Sequence, residues 1–384
     1  MRIAYYCQHV LGIGHFHRSL EICRALAKNH QTTLIVGGPD VDTVDDTIEL
    51  FRLPGLQMNG EFQNLEPCSP GRTLEQVKRE RAKSLFDFFR QVKPEVFITE
   101  LYPFGRKAFR FELDPVLKAV KNGELSSCKC YSSVRDILVE RLKDKEKFEE
   151  RVVTTLNTLF DGVLIHSDQD VLLLDKTFSR MADVEIPTEY TGFVARPGTN
   201  ERNSLRDTLK LGDYSKLIVA SIGGGNVGGE LLLKTVAAFT ELCADERYHL
   251  QIFTGPYCDS GVIKELKRNL PVRTKIGIFA DNFPAWLQAA DLSVSMAGYN
   301  TCMNIVQAGV PALVYPFSQN WEQMYRAKQL GKRAPITVLS KDDLAADILK
   351  VAIVENIEKP RKETTIDLNG ASQSAQQVEL WREI

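Results

Sequence analysis

Two glycine turns, each between an apolar strand pattern and a helix pattern, most strongly constrain the fold of the second half of this sequence. The first turn is the glycine-rich run 222–229, which follows the apolar stretch Lys216–Ser221. The second is 297–301, Ala-Gly-Tyr-Asn-Thr, which follows the apolar stretch 291–296. Strand, glycine turn and helix in this order are typical of parallel α/β sheets, and a plain βαβ crossover is the simplest interpretation.

The same turns predict phosphate binding. Glycine lets the backbone approach a ligand without an intervening Cβ, and a helix that begins near Tyr299 carries roughly half a positive charge at its N-terminus. The run 222–229 lacks the Lys-Ser/Thr pair of a P-loop and the glycine spacing of a dinucleotide fingerprint. Two such turns at the carboxyl ends of strands therefore favour a nucleoside diphosphate as the ligand.

The first half opens with a second βαβ pattern, in which strand 2–7 and strand 32–37 flank helix 14–28. The loop before the helix contains Gly12 and Gly14, and His15 follows at the helix N-terminus, where it is expected to face an interdomain cleft. The helix dipole favours a neutral imidazole there, which is the form that a general base needs. The alternative is that His15 packs against or caps the helix.

The chain has 384 residues, of which 43% are hydrophobic, and this is enough for two α/β domains. The pattern predicts an N-terminal Rossmann-like domain at 1–194 and a linker at 195–204, where the composition changes. A C-terminal nucleotide-sugar domain is expected at 205–354. The polar tail 355–384 is expected to form a helix that packs back on the N-terminal domain.

Charge and cysteine content exclude several classes of protein. The formal net charge is −2, which argues against bulk nucleic-acid binding, and the basic stretch Arg79, Arg81 and Lys83 is interpreted as a solvated helix face. Eight cysteines without a CxxC pair, and no signal peptide or membrane-spanning run, predict a reduced, cytoplasmic setting. Peripheral membrane contact stays open, through apolar residues of helix 73–92 that could equally form a core: Leu85, Phe88 and Phe89.

Taken together, these motifs resemble the GT-B glycosyltransferases of the family 28 type, similar to the type that adds N-acetylglucosamine to the peptidoglycan lipid precursor. The resemblance covers most of the C-terminal half and roughly the first 40 residues, whereas 40–190 match poorly. It implies an α/β chain with the GT-B fold, in which two Rossmann-like domains face each other across a cleft. The segments that carry the resemblance are 12–18, 297–301, 309–311, 316–317 and 322–323.

The resemblance also implies a set of site residues. Those expected at the donor nucleotide and diphosphate are Gly223, Gly224, Gly225, Asn226, Phe279, Ala280, Gly298, Tyr299, Asn300, Thr301 and Asn304. Those expected at the donor sugar or ribose are Glu322 and Gln323. Those expected on the acceptor side are Gly12, Gly14 and Arg18. Glu100 is a further acceptor-side candidate because it lies near the end of the predicted strand 95–101, but structural capping of the next segment is the favoured interpretation of this residue. Asn304 stands where the family commonly has a glutamate, and an amide binds a diol without charge assistance, so the nucleobase stays open.

The implied reaction is inverting transfer of a sugar from a nucleoside-diphosphate donor, with UDP as the expected nucleotide, to an acceptor hydroxyl. The acceptor is a glycan, a lipid or a small molecule. His15 is the implied catalytic base, and no metal or cofactor is expected. Asp168-Gln169-Asp170 has the spacing of a DxD metal motif but is interpreted as a helix cap.

Two other classes of function remain open. The segment around Gly14, His15 and Arg18 also resembles nucleotide-sugar hydrolases and epimerases of GT-B shape, in which water replaces the acceptor or the sugar is isomerised. A non-catalytic protein that binds nucleotide sugars is the third alternative. Donor turnover with and without an acceptor discriminates among the three.

Overall fold

The computed structural model describes residues 1–8, 14–39, 45–58, 64–139, 143–198, 201–268 and 270–382. The strands are β1 (Arg2–Cys7), β2 (Gln31–Val36), β3 (Glu49–Arg52), β4 (Leu56–Met58), β5 (Leu65–Pro67), β6 (Val96–Glu100), β7 (Lys129–Arg135), β8 (Gly162–His166), β9 (Thr188–Tyr190), β10 (Lys216–Ser221), β11 (Tyr248–Phe253), β12 (Thr274–Gly277), β13 (Leu292–Met296), β14 (Ala312–Tyr315) and β15 (Ile336–Val338). The α-helices are α1 (Gly14–Ala27), α2 (Leu74–Val92), α3 (Arg110–Lys121), α4 (Lys145–Leu159), α5 (Arg202–Thr208), α6 (Gly229–Leu242), α7 (Ser260–Arg268), α8 (Phe283–Ala289), α9 (Tyr299–Ala308), α10 (Trp321–Leu330), α11 (Ala346–Ile357) and α12 (Gly370–Arg382).

The chain divides into two compact units, Met1–Val194 with Asp367–Ile384, and Ala195–Ile366. The second unit is therefore longer at both ends than the expected domain 205–354. Long arginine side chains account for the difference. Arg202 donates to the carbonyl oxygen of Gln288 at 2.7 Å and pairs with Asp291, and Arg361 donates to the same Gln288 carbonyl at 2.6 Å. These hydrogen bonds hold the expected linker and the start of the expected tail to the second unit.

The first unit contains a seven-stranded parallel sheet in the order β3-β2-β1-β6-β7-β8-β9. Alternate side chains of β1 enter different cores, because successive residues of a strand point to opposite faces. The chain leaves β1 toward β2 and later returns to β6 on the other side of β1. The carboxyl ends of β1 and β6 therefore form a topological switch point, where α/β sheets bind ligands.

The segment 39–72 contains three short strands that the sequence patterns do not predict. β3 extends the main sheet at its edge, and β4 and β5 form a separate antiparallel pair. Helix α3 and strand β15 were likewise not predicted. Strands of three or four residues give too little alternation to be recognised by their periodicity.

Arg81 departs from the solvated face of α2 on which it was expected. Its side chain is fully buried, and its guanidinium pairs with Glu112 on α3 at 2.6 Å. It also donates to the carbonyl oxygens of Gly37 and Pro54, each at 2.8 Å. A buried charge persists when it is paired and hydrogen-bonded in this way, so Arg81 fastens α2 to α3 and to the loop after β2.

The apolar face of α2 belongs to the core of the first unit. Leu85, Phe88 and Phe89 are at most 4% exposed, and the Phe89 ring packs edge-on against Phe97 of β6 with centroids 4.9 Å apart. The core alternative is therefore correct for these side chains, and they do not form a docking surface. Across the described residues, we find no helix with the length and apolar character needed to span a membrane.

The last helix, α12, packs on the first unit next to α1. Ala375, Val378 and Trp381 join the core that contains Tyr5, and the Trp381 ring lies 5.2 Å from the ring of Tyr131. This helix thereby covers the α1 side of the first sheet.

A buried polar network beneath this helix contains His166. Its Nε2 lies 2.6 Å from Ser133 Oγ, and its Nδ1 lies 3.0 Å from Thr191 Oγ1. Burial and, to a smaller extent, the positive charge of Arg18 lower the pKa of His166 to about 3, against the opposing effect of the Glu100 charge. The imidazole is therefore neutral in the folded protein at any ordinary pH.

This histidine should make the protein less stable as the pH falls below the usual histidine pKa. Between about pH 6.5 and pH 3 the unfolded chain binds a proton at His166 that the folded chain does not, so the free energy of unfolding should fall by about 1.4 kcal/mol per pH unit from this group. Urea unfolding at a series of pH values measures the slope. His166→Gln should make the slope shallower by that amount, and equal slopes for the two proteins would refute the assignment.

The second unit contains a six-stranded parallel sheet in the order β12-β11-β10-β13-β14-β15. Here the switch point lies between β10 and β13, because β10 leads to β11 on one side while β13 pairs with its other edge. The two predicted glycine turns follow these same two strands. Topology thus places both turns at the point where a parallel sheet opens to admit a ligand.

Candidate active site

The glycine loop after β10 packs tightly against the neighbouring loop on one side and is open on the other. Gly225 has φ 98°, and a Cβ on it would lie 2.6 Å from the backbone nitrogen of Cys258. Gly223 also has a positive φ, 65°, but a Cβ there would meet no atom within 4 Å. Both positions require glycine because L-residues rarely adopt this backbone conformation. The loop therefore exposes main chain at its open side, where Asn226 is also exposed.

Helix α9 begins directly beside this loop, since Ser221 of β10 pairs with Ser295 of β13. Gly298 is its N-cap residue, with φ −65° and ψ 152°, and a Cβ at this position would have Thr301 Oγ1 as its nearest atom, at 3.9 Å. Tyr299, Asn300 and Thr301 form the first turn, and their N–H groups carry the positive end of the helix dipole. Glycine loop and helix end together suit an anion such as a diphosphate.

The residues expected at the nucleobase and ribose lie on the same sheet edge. Phe279 is 48% exposed and follows β12, with Ala280 half-buried beside it. The N–H of Gly255, after β11, donates to the carbonyl oxygen of Ile278 at 2.7 Å and so ties the loops after β11 and β12 together. Asn304 is half-buried on the second turn of α9. Their contacts with a nucleotide stay predictions.

Glu322 and Gln323, expected at the donor sugar, lie in the first turn of α10. Each of these side chains has a partner within the protein. Glu322 is 4% exposed and pairs with Arg326 at 2.8 Å. The Arg326 guanidinium lies over the ring of Tyr299, 5.4 Å from its centroid. Gln323 Oε1 accepts a hydrogen bond from the N–H of Phe317 at 3.0 Å. These contacts fix α10 against the start of α9, and a direct sugar contact from either side chain stays a prediction.

In the first unit, His15 lies on the first turn of α1, and Glu100 is the last residue of β6. His15 Nδ1 is 2.6 Å from Glu100 Oε1, and Arg18 Nη2 donates to the same oxygen at 2.6 Å. Arg106 donates to the other carboxylate oxygen, Oε2, from Nε at 3.2 Å and Nη2 at 3.0 Å. One buried carboxylate thus holds the histidine and two arginines at the switch point of the first sheet.

The charges of this cluster fix the state of His15. Burial by itself raises the pKa of Glu100, but His15, Arg106 and Arg18 hold it well below its usual range, so Glu100 is ionised. Burial, opposed by the Glu100 carboxylate and assisted by the charges of Arg106 and Arg18, lowers the pKa of His15 to about 4. His15 is therefore neutral near pH 7.

The hydrogen-bond partners also fix the tautomer. An ionised carboxylate can only accept, so the 2.6 Å contact requires the hydrogen of the neutral ring on Nδ1, although Arg18 Nη2 lies 3.2 Å from the same nitrogen. The lone pair is then on Nε2. With 29% of the side chain exposed, His15 has the form and the access that a general base needs.

Two of the residues expected on the acceptor side, Arg18 and Glu100, are buried. The side chain of Glu100 has no exposed surface, and that of Arg18 is 3% exposed, and both lie beside His15 Nδ1; their contact with an acceptor stays a prediction. Gly14 is the first residue of α1, and Gly12 lies outside the described residues. Arg106 was not predicted at all, and its position in sequence offers no periodic signal that would have linked it to His15.

The Asp168-Gln169-Asp170 motif neither caps an α-helix nor joins a metal cluster in the described ranges. Asp168 Oδ1 accepts the N–H of Asp170 at 2.9 Å, and a turn and the short 3-10 helix Leu174–Lys176 follow. Asp168 Oδ2 accepts the N–H of Asp367, also at 2.9 Å. The helix-cap interpretation is therefore wrong, because the carboxylate anchors the returning C-terminal segment. Among the described residues, no group of three or more His, Cys, Asp or Glu could hold a metal ion.

The chain is similar in sequence to known proteins over less than half of its length. Residues 219–379 match the glycosyltransferase family 28 C-terminal domain. The UDP-N-acetylglucosamine--N-acetylmuramyl-(pentapeptide) pyrophosphoryl-undecaprenol N-acetylglucosamine transferase of Carboxydothermus hydrogenoformans is 29% identical over 164 residues, which is 42% of this chain and 43% of the relative. The sequence match thus spans less than half the length of that relative.

Solved structures extend the likeness to the whole chain. The glycotransferase of kitacinnamycin superposes with a TM-score of 0.63 at 17% identity, covering 99% of this chain and 98% of that one. MurG of Acinetobacter baumannii superposes with a TM-score of 0.57 at 14% identity, covering 100% and 99%. Identities this low establish the fold. The chain therefore has the GT-B fold, and its residues 219–379 are similar to the family 28 C-terminal domain.

Proposed function

We propose that the protein is an inverting glycosyltransferase, which transfers a sugar from a UDP-linked donor to an acceptor hydroxyl. The observation that carries the proposal is the pair formed by His15 and Glu100, because it supplies a neutral, oriented base at a sheet switch point. UDP as the donor nucleotide is supported by the name of the Carboxydothermus hydrogenoformans relative.

In the proposed reaction the second unit binds the donor. The glycine loop at Gly223–Gly225 and the N-terminus of α9 hold the diphosphate. Negative charge grows on the diphosphate as its bond to the anomeric carbon breaks, and oriented N–H groups with a helix dipole stabilise that charge. Since these groups supply the stabilisation, the proposal needs no metal or cofactor, and EDTA should leave the rate unchanged.

The first unit supplies the base. His15 Nε2 takes the proton of the acceptor hydroxyl while its oxygen forms a bond to the anomeric carbon and the bond to the diphosphate breaks. This single displacement inverts the anomeric configuration. Glu100, bonded to Nδ1–H, holds the ring in place and stabilises the imidazolium that forms, as a carboxylate does beside a catalytic histidine.

A lipid-linked hydroxyl is the first acceptor class to test, because the relative is named for a pyrophosphoryl-undecaprenol substrate. A glycan or a small molecule is the comparison. The proposal places the protein in the cytoplasm with peripheral membrane contact, which vesicle sedimentation tests.

Removing Arg106 should move the acid limb of the pH profile. With His15 at a pKa of about 4, kcat/KM should be flat from roughly pH 6 to pH 8. Arg106→Gln removes a positive charge that disfavours the imidazolium, so the pKa of His15 should rise and the acid limb should move upward by about one pH unit. Lys107→Gln, at the exposed neighbouring position, should leave the profile unchanged. A downward shift or none for Arg106→Gln would contradict the charge assignment.

Calorimetric titration of the purified protein with UDP, GDP and dTDP tests the donor part of the proposal. We expect UDP to bind most tightly. Preference for GDP or dTDP would change the donor nucleotide while keeping the site, whereas no binding of any of the three would refute the donor site.

A further inference from the structure

Trp321 is an exposed aromatic residue that has no assigned role in the proposed donor site. It is the first residue of α10 and is 44% exposed. Its ring stacks on that of Tyr325, with centroids 4.8 Å apart and planes inclined by 14°. Stacking on Tyr325 restricts the orientation of the indole ring, which therefore presents an ordered apolar surface to the solvent.

The start of α10 is fixed close to the start of α9. Met296, at the end of β13, pairs with Tyr315, at the end of β14, so the segments after these strands leave adjacent points of one sheet edge. Arg326 bridges them, because it pairs with Glu322 next to Trp321 and also lies over the ring of Tyr299. Trp321 is therefore held beside the helix end at which the diphosphate is proposed to bind.

Exposed aromatic rings lie on both sides of the phosphate elements along this edge. Tyr257 and Phe279 follow β11 and β12 on one side, and Trp321 follows β14 on the other; these residues are 56%, 48% and 44% exposed. The glycine loop and α9 lie between them, after β10 and β13. A nucleoside-diphosphate sugar has its diphosphate in the middle, so a base on the β11–β12 side leaves the sugar on the β14 side.

We infer that Trp321 is a stacking platform for the donor sugar, an inference that rests on the proposed function. The C–H groups on one face of a pyranose are weakly positive, and the face of an indole ring is negative, so the two attract when stacked. The stacking of Trp321 on Tyr325 preorganises the platform and reduces the entropy lost on binding. Trp321 thus recognises the pyranose ring rather than the nucleotide.

The test compares calorimetric affinities for UDP and UDP-N-acetylglucosamine in the wild-type protein and in Trp321→Ala. The variant should bind UDP-N-acetylglucosamine about three- to tenfold more weakly and UDP within about twofold of the wild type. Trp321→Phe should recover part of the loss, because it keeps an aromatic face. Tyr214→Ala, at a residue 83% exposed on the segment before β10, is the matched control and should change neither affinity.

The outcomes separate this inference from the proposed function. Equal weakening of both ligands, or of neither, in a variant whose parent binds UDP would overturn the sugar platform and leave the donor site intact. Loss of binding to anionic phospholipid vesicles with unchanged sugar-nucleotide affinity would likewise overturn it, because Trp321 would then be a membrane contact. A wild-type protein that binds neither ligand would refute both proposals.

Discussion

Replacing His15 with alanine should lower kcat for sugar transfer by about 10²- to 10⁴-fold, the usual contribution of a positioned general base. The variant should still bind the donor nucleotide with unchanged affinity, because the diphosphate elements belong to the second unit. Steady-state rates, together with calorimetry of UDP binding, measure the two properties separately. A fall in kcat without a change in affinity would indicate an interaction made only in the transition state.

His17→Ala is the matched control for this experiment. His17 lies on the same helix two residues later, and its ring packs edge-on against Phe16 with centroids 5.8 Å apart. The kcat of His17→Ala should stay within about threefold of the wild type, because the proposed reaction gives this imidazole no role. Comparable loss in both variants would mean that α1 is perturbed as a whole, and His15 would not be the base.

Glu100→Gln should also reduce kcat, by less than the loss of His15 itself, because glutamine can hold the ring but cannot stabilise the imidazolium with a full charge. This order of effects follows from the 2.6 Å contact between Glu100 Oε1 and His15 Nδ1. An unchanged kcat in Glu100→Gln would contradict the proposal that the charge of Glu100 stabilises the His15 imidazolium.

Gly298→Trp should weaken UDP binding by about 100-fold or more, equivalent to about 2.7 kcal/mol, because an indole at the helix N-cap would cover the donors of α9. The fold should tolerate the change. The φ of Gly298 is −65°, and a Cβ there would find its nearest neighbour, Thr301 Oγ1, at 3.9 Å. Calorimetry at matched concentrations measures the loss.

Gly212→Trp controls for the introduction of a large ring. Gly212 is exposed before β10, at the opposite edge of the sheet, and the nearest atom to a Cβ would be Ser215 Oγ at 3.9 Å. This variant should bind UDP as the wild type does. Wild-type affinity in Gly298→Trp would place the diphosphate away from α9 and so contradict the donor site.

Sequence patterns were sufficient for the central parallel strands and for the two glycine turns, but not for the short strands β3 and β15. β1 and β10 were predicted with their observed bounds, and the turn at Gly298 was located because an apolar strand, a glycine and a helix pattern follow each other directly. These features can be predicted because the periodicity of a strand or a helix involves only residues that are close together in the sequence.

The pairing of His15 with Glu100, and the presence of Arg106 in the same cluster, could not be predicted in this way. Glu100 lies 85 positions from His15, and their contact depends on β1 and β6 being neighbours in the sheet. The prediction that Arg81 lies on a solvated helix face was wrong for the same reason. A basic residue on an amphipathic helix is usually solvated, and the partner that buries Arg81, Glu112, lies on another helix. Long-range pairing, rather than residue type, decides these roles.

The most direct test of the proposed transferase is release of UDP from UDP-N-acetylglucosamine with and without a lipid-linked acceptor, with mass spectrometry of the sugar product, in the wild type and His15→Ala. We expect UDP release that depends on the acceptor, a glycosylated product and loss of both in the variant. Release at the same rate without acceptor, giving free or isomerised sugar, would make the protein a hydrolase or an epimerase and contradict the proposed transferase activity.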